Sequence, residues 1–423
     1  MLTIHGTSTS GRQNAAPTKP SQPSPEALRK AGKDFARKQV KLIFADSNTE
    51  DLSESFPRFS LSECELGKIL GKGGFGTVSE VRGFRLKESE NVSKGREIQS
   101  SGLKGEDAVA ENGVESRTFL AEHCLRNTGD ARYCVKYLSR ETVDNSALFV
   151  QGIVDIAVET RILSSIEHPN ICKLRGLSCE DPYQEKFFLV LDRLYDTLES
   201  KIEKWARRNR RTTGIAAKLT DRKGTKQTSL MEERLVAAFD LSAALDYLHS
   251  RNIIYRDVKP ENCGFDCRGD IKLFDFGLAK EFYEKDKLHD NTYNMSAMTG
   301  SIRYMAPEVA LGKTYNAKAD TYSMSILLWQ MISLCLPFQL YTCSLMTELV
   351  HIGGKRPSIP EGKQWSASIK LLLNHGWSAD VSSRFSMKQF TAILKKELIH
   401  LRSGDDTGLE HQRRRSTFVF RKK

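Results

Sequence analysis

Ile253-Ile-Tyr-Arg-Asp-Val-Lys-Pro-Glu-Asn262, followed thirteen residues later by Asp275-Phe-Gly277, is the stretch on which the reading of this 423-residue chain turns. Upstream of it, Leu70-Gly-Lys-Gly-Gly-Phe-Gly-Thr-Val78 fits the pattern GxGxxGxV, with Gly71, Gly73 and Gly76 in the glycine positions. A turn that covers phosphates must bring backbone N–H groups close to the anion, and side chains would obstruct that approach. A dinucleotide-binding loop has similar spacing but leads into a helix. Here Thr77-Val-Ser-Glu-Val81 reads as a strand, which favours a strand–loop–strand phosphate cover over that loop. Taken alone, the segment is equally compatible with an ordinary glycine hairpin.

Between these two stretches, Lys136 interrupts the apolar run Tyr133-Cys-Val-Lys-Tyr137. A helix is predicted from about Asp144 to Ile166, ended by His168-Pro169. On it Glu159 and Leu163 are four residues apart and share a face. If Leu163 faces the core, so does Glu159, and a buried carboxylate is costly unless paired. A Lys136–Glu159 ion pair would account for both oddities.

With Ala306-Pro-Glu308 added, the set of motifs resembles the eukaryotic-type protein kinase family, whose pattern is HRDxKxxN followed by DFG. The resemblance covers roughly residues 61–402. Lys318-Ala-Asp-Thr-Tyr322 and Ile326-Leu-Leu-Trp329 look most like the tyrosine-kinase-like branch of Ser/Thr kinases. The resemblance implies an α+β, two-lobed fold: a small, mainly antiparallel β N-lobe with one main helix, and a larger, mainly α-helical C-lobe. It implies ATP and Mg²⁺ as cofactors, protein substrates, and transfer of the γ-phosphate to Ser/Thr hydroxyls. A dual-specificity kinase and a pseudokinase scaffold are the alternatives.

Residue by residue, the resemblance makes Asp257 the catalytic base and Lys259 the neutraliser of the γ-phosphate. Lys136, paired with Glu159, would anchor the ATP phosphates. Asn262 and Asp275 would be the metal ligands, hard oxygens that suit a small divalent cation. Leu70, Gly71, Gly73, Gly76, Val78, Cys134, Leu191, Asp192, Leu194 and Gly264 would line the nucleotide site, with Leu191 as gatekeeper before an Asp192-Arg-Leu194 hinge. Glu308 would pair with Arg384, and Asp320 would anchor the catalytic loop. Residues 280–304 form the activation segment, with Thr292, Tyr293, Ser296 and Thr299 as phosphosites for an upstream activating kinase and Arg256 as the phosphate's partner. Ser301 reads as structural, a hydrogen-bond partner of Asp257 and Lys259.

Three positions depart from the family pattern. Tyr255 replaces a histidine, and its hydroxyl needs a partner. Cys134 stands where alanine usually meets the adenine. Gly264 stands where leucine usually forms the adenine floor, so the floor is expected to be thin or refilled by neighbouring apolar groups.

Composition bounds the rest. Hydrophobic residues make up 39% and charged residues 28%, enough for a sizeable core. The net charge of +11 is concentrated in 201–229, with ten Lys/Arg against two Asp/Glu, and in 411–423, with six basic residues. Nucleic acid or an anionic membrane could meet these segments, but interleaved aromatics that would stack on bases are lacking over most of their length. Nine cysteines without a CxxC pair read as thiols rather than a disulfide framework. No apolar signal core opens the chain and no run is long enough to span a bilayer, which points to the cytoplasm or nucleus. Residues 1–60 read as a largely disordered basic Ser/Pro-rich tail. Within it, 25–44 could form an amphipathic helix with Leu28, Phe35, Val40 and Ile43 as apolar members, packing weakly on the domain. The N-lobe is placed at 61–194 with an insertion at 84–130, carrying one helix near 117–125. The C-lobe is placed at 195–402 with a basic insertion at 205–229, and a basic tail at 403–423.

Overall fold

The computed structural model describes residues 25–47, 49–86, 105–213, 225–362 and 364–403. Its N-lobe is a six-stranded sheet in the order β1 (Arg58–Phe59), β5 (Leu174–Ser178), β6 (Phe188–Asp192), β4 (Tyr133–Leu138), β3 (Gly76–Phe84), β2 (Cys64–Lys72). Every neighbouring pair is antiparallel except β1 with β5. Strand periodicity sorts β4 between two cores. Tyr133 and Val135 join Phe59, Val81, Phe188 and Val190 on the outer face. Cys134 and Lys136 project to the inner face, where β4 pairs with β6 through Cys134–Leu191 and Lys136–Leu189.

The helix predicted over 144–166 is α4 (Ser146–Ser165), and a short helix α3 (Arg140–Asp144) precedes it. Asn145 makes the break: its side-chain oxygen accepts from the Ala147 and Leu148 N–H groups, capping α4.

The N-lobe holds more helix than one main element. In the structure α1 (Pro25–Ile43) lies across α4, so at least residues 25–47 of the expected tail are ordered. The face it buries also differs from the expectation. Ala36 and Val40 are buried, whereas Leu28 and Phe35 are exposed. The reason is the crossing geometry: a Cβ on Gly32 would come within 2.8 Å of Val150, so the small residues Gly32 and Ala36 face α4. Of the region read as an insertion, α2 (Gly105–Glu122) is a helix whose C-terminal end packs on the sheet through Leu120 and, just beyond it, Cys124. Arg117 reaches Glu63 at 2.6 Å. Residues 87–104 lie outside the described segments.

The C-lobe is built from α5 (Leu198–Thr213), the long helix Thr225–Ser250, the helix Lys318–Ser333, and two further helices at Ala367–Gly376 and Met387–Ser403. Between them lie the short strand pairs β7–β9–β10 and β8–β11, at Asp196–Thr197, Cys263–Phe265, Ile271–Leu273, Ile253–Ile254 and Lys280–Glu281. No helix among the described residues is long and apolar enough to cross a membrane.

The basic insertion is shorter than 205–229. Trp205 is 1% exposed, and its indole N–H donates to Glu233 at 3.1 Å. Arg208 holds both oxygens of the same carboxylate. Residues 205–213 therefore belong to α5, and 225–229 to the next helix. Residues 214–224 and the tail 404–423 lie outside the described segments. Replacing 214–224 by a short Gly/Ser linker should leave thermal unfolding nearly unchanged, because loop-closure entropy varies slowly with length. Removing 205–226 should cost on the order of 3–5 kcal/mol or more, the usual range for loss of a buried tryptophan. Unfolding curves of the two deletions side by side test this, and equal stability would show that Trp205 does not hold α5.

Candidate active site

The glycine turn joins β2 to β3, and β3 continues as a strand, as the strand–loop–strand reading requires. Gly73 N–H donates to the Gly76 carbonyl at 2.8 Å, closing the turn. None of its glycines has positive φ. A Cβ on Gly71 or Gly74 would meet nothing within 4 Å. Neither backbone conformation nor internal packing demands glycine at these two positions. The open space is a cradle that side chains would fill. Leu70 and Val78 flank it, half-buried against the main core.

Beneath the turn, Lys136 Nζ lies 2.5 Å from Glu159 Oε2 and 2.9 Å from Asp275 Oδ1. Glu159 also accepts from the Phe276 N–H, tying α4 to the Asp275-Phe-Gly277 turn. Burial by itself would lower the Lys136 pKa, but the Asp275 and Glu159 carboxylates outweigh it and hold it raised. Lys136 in turn holds Asp275 below the usual carboxylate range, so Asp275 is ionised. Sequence reasoning missed Asp155, one turn before Glu159. A Cβ on Gly277 would sit 3.1 Å from its Cβ, so it packs directly on the turn. Burial, then the neighbouring Asp275 charge, pushes Asp155 up to about 7. Only the fold of α4 over the turn reveals it.

The catalytic-loop stretch bends at Arg256, whose φ is +71°. That left-handed conformation is costly for a side-chain-bearing residue. Asp320, buried in the helix Lys318–Ser333, holds the bend by accepting from the Tyr255 and Arg256 N–H groups, each at 2.8 Å. The Tyr255 hydroxyl finds its partner in the Phe274 carbonyl at 2.5 Å, and its ring meets Phe276 edge-on at 5.2 Å. Asp257 projects beyond the bend. Its Oδ2 accepts from Asn262 Nδ2 at 2.8 Å and lies 2.7 Å from Lys259 Nζ. Its Oδ1 accepts from the Ser301 hydroxyl at 2.8 Å and the Ser301 N–H at 2.9 Å. Lys259 also donates to Ser301 at 2.9 Å.

The Asn262 amide nitrogen is committed to Asp257, which leaves its oxygen as the atom that could meet a cation. Asp275 uses one oxygen for Lys136, and its side chain is 46% exposed. Among the described residues no cluster of three or more His, Cys, Asp or Glu could hold a metal alone. One amide oxygen and one carboxylate fit a hard cation that completes its shell with phosphate oxygens and water.

Leu191, next to last in β6, pairs with Cys134, and Asp192 leads into the hinge. Arg175 grips the Asp192 carboxylate with two hydrogen bonds, at 2.7 and 2.9 Å. The Asp192 side chain therefore faces Arg175. The Leu194 N–H and C=O make no hydrogen bond among the described residues, which leaves them for a planar polar edge. Of the two floors expected at Gly264, thin or refilled, the geometry fits the refilled one. A Cβ there would lie 2.7 Å from Leu194 Cδ1 and 3.2 Å from the Asp196 carbonyl. Leu194 already occupies the space that a larger residue at 264 would need. Gly264→Leu is therefore expected to lower stability by about 1–3 kcal/mol as overpacking, and to weaken nucleotide binding. Thermal unfolding with calorimetric ATP titration decides it; tighter binding at unchanged stability would restore the open floor.

In the activation segment, Arg256 donates to the Leu278 carbonyl at 2.6 Å and to Ser296 Oγ at 2.8 Å. Ser296 is exposed, whereas Thr292 and Tyr293 are buried. Thr299 is held by Ser296. Downstream, buried Arg384 grips Glu308 with both nitrogens, at 2.5 and 2.7 Å.

A family model described as "Protein kinase domain" matches residues 119–395, more than half of the chain. The glycine turn lies upstream of that match. Human ribosomal protein S6 kinase alpha-2 is 30% identical over 289 residues, 68% of this chain and 29% of that protein. Ribosomal protein S6 kinase alpha-6 of Danio rerio is 29% identical over 292 residues, 69% and 29% of the two chains. A probable serine/threonine-protein kinase of Dictyostelium discoideum is 29% identical over 248 residues, 58% and 16% of the two chains. The chain thus spans less than a third of the length of these relatives, and they bear on the family rather than the tyrosine-kinase-like branch. The motif positions, the two-lobed architecture and the family match coincide on one stretch of sequence, and by them this chain belongs to the protein kinase family.

Proposed function

We propose that this domain transfers the γ-phosphate of ATP to Ser/Thr hydroxyls of protein substrates, with Asp257 as the base. The observation that supports it most is the Asp257 carboxylate, held on both oxygens by Asn262, Lys259 and Ser301 at the mouth of the cleft. Such positioning aligns a substrate hydroxyl for in-line attack and accepts its proton as the oxygen–phosphorus bond forms. Lys259, already 2.7 Å from Asp257, faces the charge that develops on the transferred group. Lys136, fixed by Glu159, binds the inner phosphates, the glycine turn covers them, and the free Leu194 backbone groups take the adenine edge. Asn262 and Asp275 would hold the metal, Mg²⁺ in this reading, which when bound neutralises phosphate charge and orients the transfer. Ser296, beside Arg256, is the activating phosphosite we favour, because a phosphate there gains a charge-assisted partner in place.

Incubation of the chain with Mg-ATP and a peptide library, followed by phosphosite mapping, tests the reading. Phosphoserine and phosphothreonine products are expected. Phosphotyrosine in quantity would overturn the Ser/Thr assignment, and no product from any peptide would overturn the transfer itself.

A further inference from the structure

Glu281 sits in β11, six residues beyond Asp275, and is only 4% exposed. Among the described residues no cation lies within ion-pair distance of it. Its carboxylate is satisfied instead by hydroxyls. Ser47 Oγ donates to Oε2 at 2.6 Å, and Thr49 Oγ1 approaches the same oxygen at 3.1 Å. The Tyr283 hydroxyl lies 3.5 Å away and donates to the Ile43 carbonyl at 3.1 Å. Asp46 pairs with Lys285 at 2.5 Å. Thus the chain just beyond α1 is bonded to the start of the activation segment through Ile43, Asp46, Ser47 and Thr49.

The same few residues also hold α4. Arg161, two positions after Glu159, donates to the Thr49 carbonyl at 2.5 Å and reaches Asp51 at 3.2 Å, and its guanidinium stacks over Phe44 at 5.7 Å. β11 pairs with β8, Ile253–Ile254, which runs straight into Tyr255-Arg256-Asp257. One short segment therefore joins the helix that carries Glu159, the strand that follows Asp275 and, through β8, the catalytic loop.

From this convergence we propose that residues 43–47 and 49–51 form a strap that fixes α4 to the activation segment, and that Ser47 and Thr49 are positioning residues for the Lys136–Glu159–Asp275 cluster. The physical reason lies in Glu281. A buried carboxylate that loses its donors bears the full desolvation penalty, so β11 keeps its place only while the strap hydroxyls are present. The strap also makes Ser47 a sensitive point, because negative charge there faces Glu281 directly. The consequence for phosphate transfer rests on the kinase reading above, whereas the mechanical role does not.

The test uses the full chain, unaltered and as Ser47→Asp, with Ser47→Ala/Thr49→Ala as a second variant that removes the donors without adding charge. Backbone hydrogen exchange is followed over 153–163 and 275–285, and kcat/KM is measured on a peptide substrate. Ser47→Asp is expected to speed exchange in both segments and lower kcat/KM about tenfold or more through like-charge repulsion, and the double alanine variant to do the same more weakly. Adding Glu281→Gln to Ser47→Asp should restore protection and rate, because an amide can donate to the new carboxylate. Unchanged exchange and rate in both variants, or no rescue by Glu281→Gln, would overturn the strap. Exchange differences between the variants and the unaltered chain, with no phosphate transferred even by the unaltered chain, would overturn the transfer activity and leave the strap standing.

Discussion

Asp257→Asn lowers kcat by about 10²–10⁴-fold, the usual contribution of a positioned general base, while ATP affinity changes little. The reason is visible in the hydrogen bonds. Asp257 touches Asn262, Lys259 and Ser301 and makes no contact with the Lys136 cluster that would hold the inner phosphates. An asparagine keeps the shape but offers only one acceptor where four donor contacts converge. Its amide nitrogen must then face one of those donors. The loss therefore falls on the transition state, in which the substrate proton moves, and not on nucleotide binding. Single-turnover transfer alongside calorimetric ATP binding separates the two. A near-normal rate would remove Asp257 from its role, and a parallel loss of ATP affinity would move its role to binding.

The second large effect belongs to the Lys136 cluster. Lys136→Met leaves the buried Glu159 carboxylate without its cation beside the half-exposed Asp275, and breaking a buried pair from one side costs about 3–5 kcal/mol. Glu159→Ala is milder, because Lys136 keeps Asp275 at 2.9 Å. In a double-mutant cycle the two losses should fail to add by about 0.5–3 kcal/mol, as for residues in one network. The readouts are thermal unfolding and single-turnover transfer for each single variant and the double variant. Additive losses in both readouts would show that Lys136 and Glu159 act independently. Equal single losses would show that Asp275 does not share the lysine.

Much of this site was legible because its groups are packed into short loops. Asp257, Lys259 and Asn262 lie within six residues, the resemblance to the kinase family nominated them together, and the structure places Lys259 and Asn262 within hydrogen-bond reach of Asp257. Helical periodicity was enough to turn Glu159 inward. Gly264 shows where that approach stops. Its pattern departure was readable, but whether the space beneath was empty depended on where Leu194, seventy positions upstream, puts its side chain. Trp205 shows the same limit from the other side. Surrounded by arginines and lysines it read as part of a polar insert, because no local pattern reports that Glu233 waits across the helix pair.

Read through its motifs, the sequence was enough to point to the family and the two-lobed architecture, and its resemblance to that family nominated the groups of the candidate site. Motifs of this kind are short runs of fixed residue types, so they are readable without the fold. The tertiary structure alone decided what fills the space beside Gly264, which partner satisfies the Tyr255 hydroxyl, that Asp155 lies against the Asp275 turn, and that Ser47 and Thr49 bond Glu281. Each of these is a meeting of side chains far apart in sequence. Their energy comes from burial and from satisfying polar groups after burial, and those terms exist only once distant segments have packed together.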